Sequence, residues 1–232
     1  MNRSILLGLA ACGVLGLAGC AGTPAGGAYD PPIDPARFTT TIDNPYFPLV
    51  PGTVFRFRCT DGDEVEEIVV TVTDRVRRVM GVDCVVVHDV VTEDGRTKED
   101  TFDWYAQDGD GSVWYFGEDT KAFERGRVST AGSWEAGVRG AKPGIVMASH
   151  PRVGDSYRQE YLPGKAEDMS EILAVGETVT VVAGTFKDCV RTRDWTPLEP
   201  GVFENKTFAP GVGVVLTVVE GGSEREELVS RK

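Results

Sequence analysis

The chain has 232 residues, a net charge of −12 and a hydrophobic content of 41%. Such an acidic protein is a poor partner for nucleic acid or for a flat anionic lipid surface, because both are held by clusters of Lys and Arg. Its two histidines, His88 and His150, are too few for a three-histidine metal site.

The chain opens on an export signal. Residues 1–4 carry one basic side chain, Arg3, and residues 5–18, "ILLGLAACGVLGLA", are apolar. That run is shorter than the roughly 20 residues needed to cross a bilayer. It ends in "LAGC", residues 17–20. A basic start, a short apolar run and small residues before a cleavage point make a secretory signal peptide. "LAGC" resembles the lipobox of bacterial lipoproteins, in which the Cys becomes the lipidated first residue. The resemblance implies lipidation of Cys20, with palmitate among the acyl chains, and a membrane partner reached through that anchor. Stable anchoring takes more than one acyl chain, which a diacylglyceryl group supplies. Ala21 in place of Asp resembles the outer-membrane sorting class. The expected location is therefore the outer membrane facing the periplasm in a diderm, or the outer face of the plasma membrane in a monoderm.

Residues 21–36, "AGTPAGGAYDPPIDPA", are rich in small residues, Gly and Pro and show no apolar period. They predict a tether. The domain plan is a signal peptide at 1–19, a lipidated Cys with its tether at 20–36, and one folded domain at 37–232.

That domain reads as strands. Alternating runs rich in Val, Thr and aromatics occupy 53–60, 66–74, 83–91, 98–107 and 112–119. Further runs follow at 156–162, 171–175, 177–186, 189–196, 202–209, 213–221 and 225–231. Gly, Asp and Pro separate them, and no helical period of ten residues appears. The pattern predicts an all-β fold. We expect a single, mostly antiparallel, strongly curved sheet, or an incomplete or closed barrel. Residues 132–151, "GSWEAGVRGAKPGIVMASHP", break the rhythm with four Gly and two Pro. Their apolar content predicts one long ordered loop over an end of the sheet. Acids cluster at the expected turns 61–67, 92–100 and 223–227, where they read as solvated faces. Cys59, Cys84 and Cys189 are an odd number, so at most one internal disulfide is expected.

The stretch "DWYAQDGDGSVWYFGED", residues 103–119, predicts a hairpin. A two-residue loop at 109–110, or a four-residue loop at 108–111, places Gln107 opposite Ser112, Tyr105 opposite Trp114 and Trp104 opposite Tyr115. One face then carries Phe102, Trp104, Ala106, Val113, Tyr115 and Gly117 and suits a core. The other mixes Asp103, Tyr105, Gln107, Ser112, Trp114, Phe116 and Glu118. Aromatics beside a few polar groups are the makings of a ligand wall. Tyr105, Trp114 and Phe116 would give apolar contact, Asp103 or Glu118 would orient the ligand, and Trp134 and Met147 would cover it. The plainer alternative is a second packed layer. Asp108, Asp110 and Ser112 echo an EF-hand loop, but Val113 stands where that loop needs Gly, and Asp119 where it needs Glu. No metal is expected.

No complete catalytic motif is present: neither H-E-x-x-H, G-x-S-x-G nor a P-loop. No catalytic residue and no cofactor are therefore assigned. His88, within a Val-rich strand, reads as a structural histidine, and His150 as the freer of the two.

The stretches "DWYAQDGDGSVWYFGED", "GSWEAGVRGAKPGIVM", "GDSYRQEYLPGKAEDM" and "FAPGVGVV" resemble a family of uncharacterised exported bacterial proteins. The resemblance covers most of the chain from about residue 44 and implies no reaction. "FAPGVGVV" is also similar to the end of small exported β-proteins with incomplete barrels, a distant architectural likeness to lipoprotein carriers of the LolA/LolB kind. The functional expectation is a membrane-anchored envelope lipoprotein that binds an apolar or amphipathic ligand without catalysis. The alternatives are a hydrolase using a carboxylate pair drawn from Glu118, Glu160, Glu167 and Asp168, such as Glu118 and Glu160, with His150, and a purely structural lipoprotein.

Overall fold

The computed structural model describes residues 29–124 and 126–232. The expected signal peptide and Cys20 lie outside the described residues. A 3-10 turn, Pro35–Arg37, precedes sixteen strands, and no α-helix occurs among the described residues. The strands are β1 (Phe38–Thr39), β2 (Val54–Asp61), β3 (Glu64–Val79), β4 (Val82–Glu93), β5 (Arg96–Asp108), β6 (Val113–Glu124), β7 (Arg127–Ser129) and β8 (Trp134–Glu135). They continue as β9 (Lys142–Met147), β10 (Ser156–Arg158), β11 (Glu160–Tyr161), β12 (Met169–Val181), β13 (Gly184–Trp195), β14 (Glu204–Ala209), β15 (Gly213–Val219) and β16 (Arg225–Arg231).

Thirteen strands form one sheet in the order β10-β12-β13-β14-β15-β16-β2-β3-β4-β5-β6-β9-β11, with β1 added on β5 and β7 and β8 on β6. Every pairing is antiparallel. The sheet curls until its two edge strands, β10 and β11, meet as chain neighbours at a seam. There Gln159 N–H donates to Asp168 C=O at 2.8 Å. A Cβ on Gly144 of β9 would lie 2.3 Å from the Arg158 carbonyl oxygen, so only glycine lets the edges approach this closely. The expected all-β, curved or nearly closed architecture is the one observed. The segment 132–151 departs from a plain loop, because β8 and β9 lie within it and β9 joins the main sheet.

The lumen divides into two halves. One is apolar: Phe55, Phe57, Ile68, Val70, Val72, Tyr105, Tyr115, Met147 and Phe208 are all buried. Burying each such side chain contributes roughly 1.5–3 kcal/mol. The segment from Ile42 to Leu49 closes this end, with Phe47 against Tyr105 and Phe208 at 5.5 and 6.4 Å between ring centres. Gln107 clamps the segment. Its Oε1 accepts from the backbone of Asp43 and Asn44, and its Nε2 donates to Asp43 Oδ1 at 2.7 Å. The cavity left among Phe47, Leu49, Phe55 and Val214 is about 30 Å³, little more than one water. The other half of the lumen is polar.

The hairpin differs from expectation by one register step. Asp108 and Ser112 close a three-residue loop, with Gly111 at φ +92°. Asp108 Oδ1 accepts from the N–H of both Asp110 and Ser112, which selects this turn over the shorter or longer one. Gln107 therefore faces Val113, and a bulge at Phe116 lets Tyr105 face Tyr115 while Trp104 faces Gly117. Since one step of register moves every side chain to the other face, the expected mixed face does not exist as a unit.

Candidate functional site

Belts of inward-facing residues can be followed from strand to strand, because directly opposed residues share a face. One belt runs Thr192–Lys206–Thr217–Glu226–Cys59–Glu66–Glu93, each opposite the next on successive ladders from β13 to β4. It marks the polar end of the lumen. Above it opens a cleft of about 370 Å³ lined by Cys59, Asp61, Glu64, Glu66, Glu93, Lys98 and Glu224. The three acidic turns that look like solvated faces in the sequence thus converge on one mouth. The β2–β3 turn supplies Asp61 and Glu64, the β4–β5 hairpin Glu93 and Lys98, and the approach to β16 Glu224. Lys98 Nζ donates to Glu93 Oε2 at 2.7 Å.

Glu226 stands just inside this mouth. It is 1% exposed, and neither carboxyl oxygen meets a hydrogen-bond donor. Burial pushes its carboxyl well above the usual range, and the nearby Asp89 carboxyl adds to the effect. The Thr217 hydroxyl beside it and Asp89 Oδ1 also lack partners. A buried polar group left unpaired costs about 1–3 kcal/mol.

Deeper in, a second group of acids surrounds Lys206. Its Nζ lies 3.1 Å from Asp194 Oδ2, and Ser170 donates to Asp194 Oδ1 at 2.6 Å. Burial alone would lower the lysine, but Asp194 and Glu204 outweigh it and hold the ammonium above its ordinary value. Asp168 is pushed up to about 7 by burial, against the pull of Lys206. Glu160 is pushed well above the usual range by burial and by the charge of neighbouring Asp168. Asp103 is raised to about 7 by burial, against the hydrogen bond it accepts from the Tyr115 hydroxyl at 2.7 Å. Glu118 is raised by burial and by Asp103, and accepts from the Thr120 hydroxyl.

The residues expected to form a ligand wall separate. Asp103, Tyr105 and Glu118 point into the lumen and are buried there. Tyr105 stacks on Tyr115 with ring centres 4.9 Å apart. Trp134 lies edge-on to Tyr115 at 5.3 Å, opposite Glu118 on the β6–β8 ladder, and Met147 is fully buried opposite Val113. Trp114 and Phe116 instead face outward beneath Phe38, at 6.1 and 5.5 Å. The Trp114 indole donates to Asp108 Oδ2 at 2.8 Å.

Glu118, Glu160 and Asp168 do converge, but inside the packed lumen rather than in a cleft. Glu167 lies outside this group and accepts from Gly164 N–H on an exposed turn. His150 is exposed beside Ser149. His88 bonds Asp100 at 2.7 Å and stacks on Phe102, a structural role. The Asp108–Ser112 loop is a turn whose carboxylate is already occupied, and no cluster of His, Cys, Asp or Glu suited to a metal ion occurs among the described residues. Cys59, Cys84 and Cys189 are buried thiols.

Glu66, Glu93, Glu224 and Glu226 read in the sequence as solvated acids and Cys59 as a candidate for a disulfide, not as parts of a site. One signal was present: Glu226 alternates in phase with Leu228, and Glu66 with Ile68, so each belongs to the inward face.

No protein-family model matches the chain. No curated protein matches it either. The family likeness drawn from the quoted motifs therefore rests on those residues alone. One solved structure, described as a "putative lipoprotein" from Parabacteroides distasonis, aligns with a TM-score of 0.47 at 15% identity, covering 81% of this chain and 98% of that one.

Proposed function

We propose that the chain is an exported, lipid-anchored envelope protein that binds a small amphipathic cation at the acidic mouth of its barrel, without making or breaking a bond. The export signal and "LAGC" support the location. The observation that carries the binding is the composition of the mouth: five carboxylates and one ammonium around a cleft of about 370 Å³. A cleft lined by one sign of charge concentrates ions of the other sign. The filled apolar half supports a polar entry rather than a wholly apolar ligand, because its cavity of about 30 Å³ admits no lipid chain.

The test uses full-length protein in neutral detergent at low ionic strength, titrated calorimetrically with n-butylamine. Saturable binding at one site, weakened about fivefold or more by Glu93→Gln and by rising salt, is the expected result. Heat that never saturates, or binding indifferent to Glu93→Gln, would overturn the assignment.

A further inference from the structure

The belt carries acid from the open mouth, at Glu93 and Glu66, to the buried Glu226. Glu226 lies opposite Cys59, and Cys59 opposite Glu66; both of these neighbours line the cleft, and Glu226 is buried beside them. Glu226 offers two acceptor oxygens and receives no donor. Lys206, the cation that acts on it, is committed to Asp194 and Glu204. Glu226 is therefore a group on which a donor entering through the cleft can be seated.

Three features narrow its chemistry. A metal ion fits poorly, since no metal-suited cluster of His, Cys, Asp or Glu occurs among the described residues. The cleft is about a dozen water volumes, too large for a single small cation and suited to a chain of several atoms. Lys98 already displays the binding mode: a primary ammonium on a flexible methylene stem, seated on the rim carboxylate of Glu93. Between Glu66 and Glu226 on that belt, the Cys59 sulfur offers a soft, weakly polar surface suited to methylenes.

We propose, resting on the cation-binding reading above, that the ligand is a linear diamine or polyamine, with one ammonium on Glu226 and a second at the rim beside Glu64 and Glu93. Its methylenes cross Cys59. Each ammonium–carboxylate contact is charge-assisted, and the inner one forms as Glu226 releases its proton to solvent when the ammonium arrives.

The experiment compares n-butylamine, 1,4-diaminobutane and spermidine on full-length protein in neutral detergent, with wild type, Glu226→Gln and Cys59→Met. Wild type is expected to bind spermidine about tenfold or more tightly than butylamine. Glu226→Gln should abolish that preference while leaving butylamine within about twofold, since the rim is untouched. Gln is nearly isosteric and removes a buried acid, so the fold is expected to hold. Should it not, Cys59→Met carries the test by narrowing the path: it should lower spermidine affinity and spare butylamine. Butylamine binding without a polyamine preference, or a preference that survives both variants, overturns the two-point ligand and leaves the mouth reading intact. Failure of all three amines to bind overturns both.

Discussion

The Tyr115 hydroxyl donates to Asp103 Oδ1 at 2.7 Å across the β5–β6 ladder, inside the barrel and out of reach of water. The pair exists because the Phe116 bulge brings Tyr115 to the lumen face on which Asp103 already lies. Tyr115→Phe removes the donor and keeps the ring stack on Tyr105. The expected cost is about 1–3 kcal/mol, as Asp103 is left with a lost partner in a dry site. Urea unfolding measures it. A variant as stable as wild type would mean that Asp103 finds another donor.

Stability should fall as pH rises. Asp103 and Asp168 have folded-state values of about 7 against 3.8 for the ordinary side chain. Below about pH 4 both folded and unfolded chains hold these protons, and the full stability is present. Between there and pH 7 the unfolded chain releases them first, so each unit of pH favours unfolding, and the contribution is gone above the folded values. Glu118, Glu160, Asp89 and Glu226 are raised in the same direction. The urea midpoint at pH 5 should exceed that at pH 8 by an amount worth a few kcal/mol, on the order expected for these shifts. Glu118→Gln should flatten the slope. A midpoint that climbs over this interval would contradict the burial of these acids.

Lys206 holds the inner acids together. Removing one partner of a buried ion pair costs about 3–5 kcal/mol, because the other charge is stranded. Lys206→Met should therefore unfold the protein or lower its melting temperature sharply. Asp194→Asn in the same chain should recover much of the loss, since the stranded charge goes with it. A double variant no better than the single one would show that Lys206 serves Asp168 or Glu226 more than Asp194.

Two glycines test the closure. Gly144→Ala puts a methyl 2.3 Å from the Arg158 carbonyl oxygen at the seam, and Gly117→Ala puts one 2.4 Å from that of Trp134. Backbone must move in both, at an expected cost of about 3 kcal/mol or more. Gly62→Ala, at φ +60° with nothing within 4 Å, should cost only about 1 kcal/mol. Thermal unfolding of the three separates crowding from backbone strain. Gly117, at φ +131°, combines both effects, so a Gly144→Ala variant no less stable than Gly62→Ala would show that the seam tolerates the added methyl.

The anchor has its own check. Metabolic labelling with palmitate should mark wild type and not Cys20→Ser, and only wild type should sediment with membranes. Equal labelling of both chains would remove the lipid anchor from the assignment.

The sequence alone determined the all-β class, the places of most strands and the structural role of His88, because these follow from local alternation and turn residues. It also carried the inward phase of Glu66 and Glu226, which alternation with Ile68 and Leu228 dictates. The register of β5 on β6 was beyond it. A single side chain, Asp108, selected a three-residue loop, and one loop residue more or fewer reverses every face. The tertiary structure alone decided that residues 61–67, 92–100 and 223–227 form one mouth. Ladder pairing of β16 on β2 joins segments more than 160 positions apart, and closure of the sheet sets their acids side by side. Sequence-local charge reads as solvated, and only the curl of the sheet turns part of it inward.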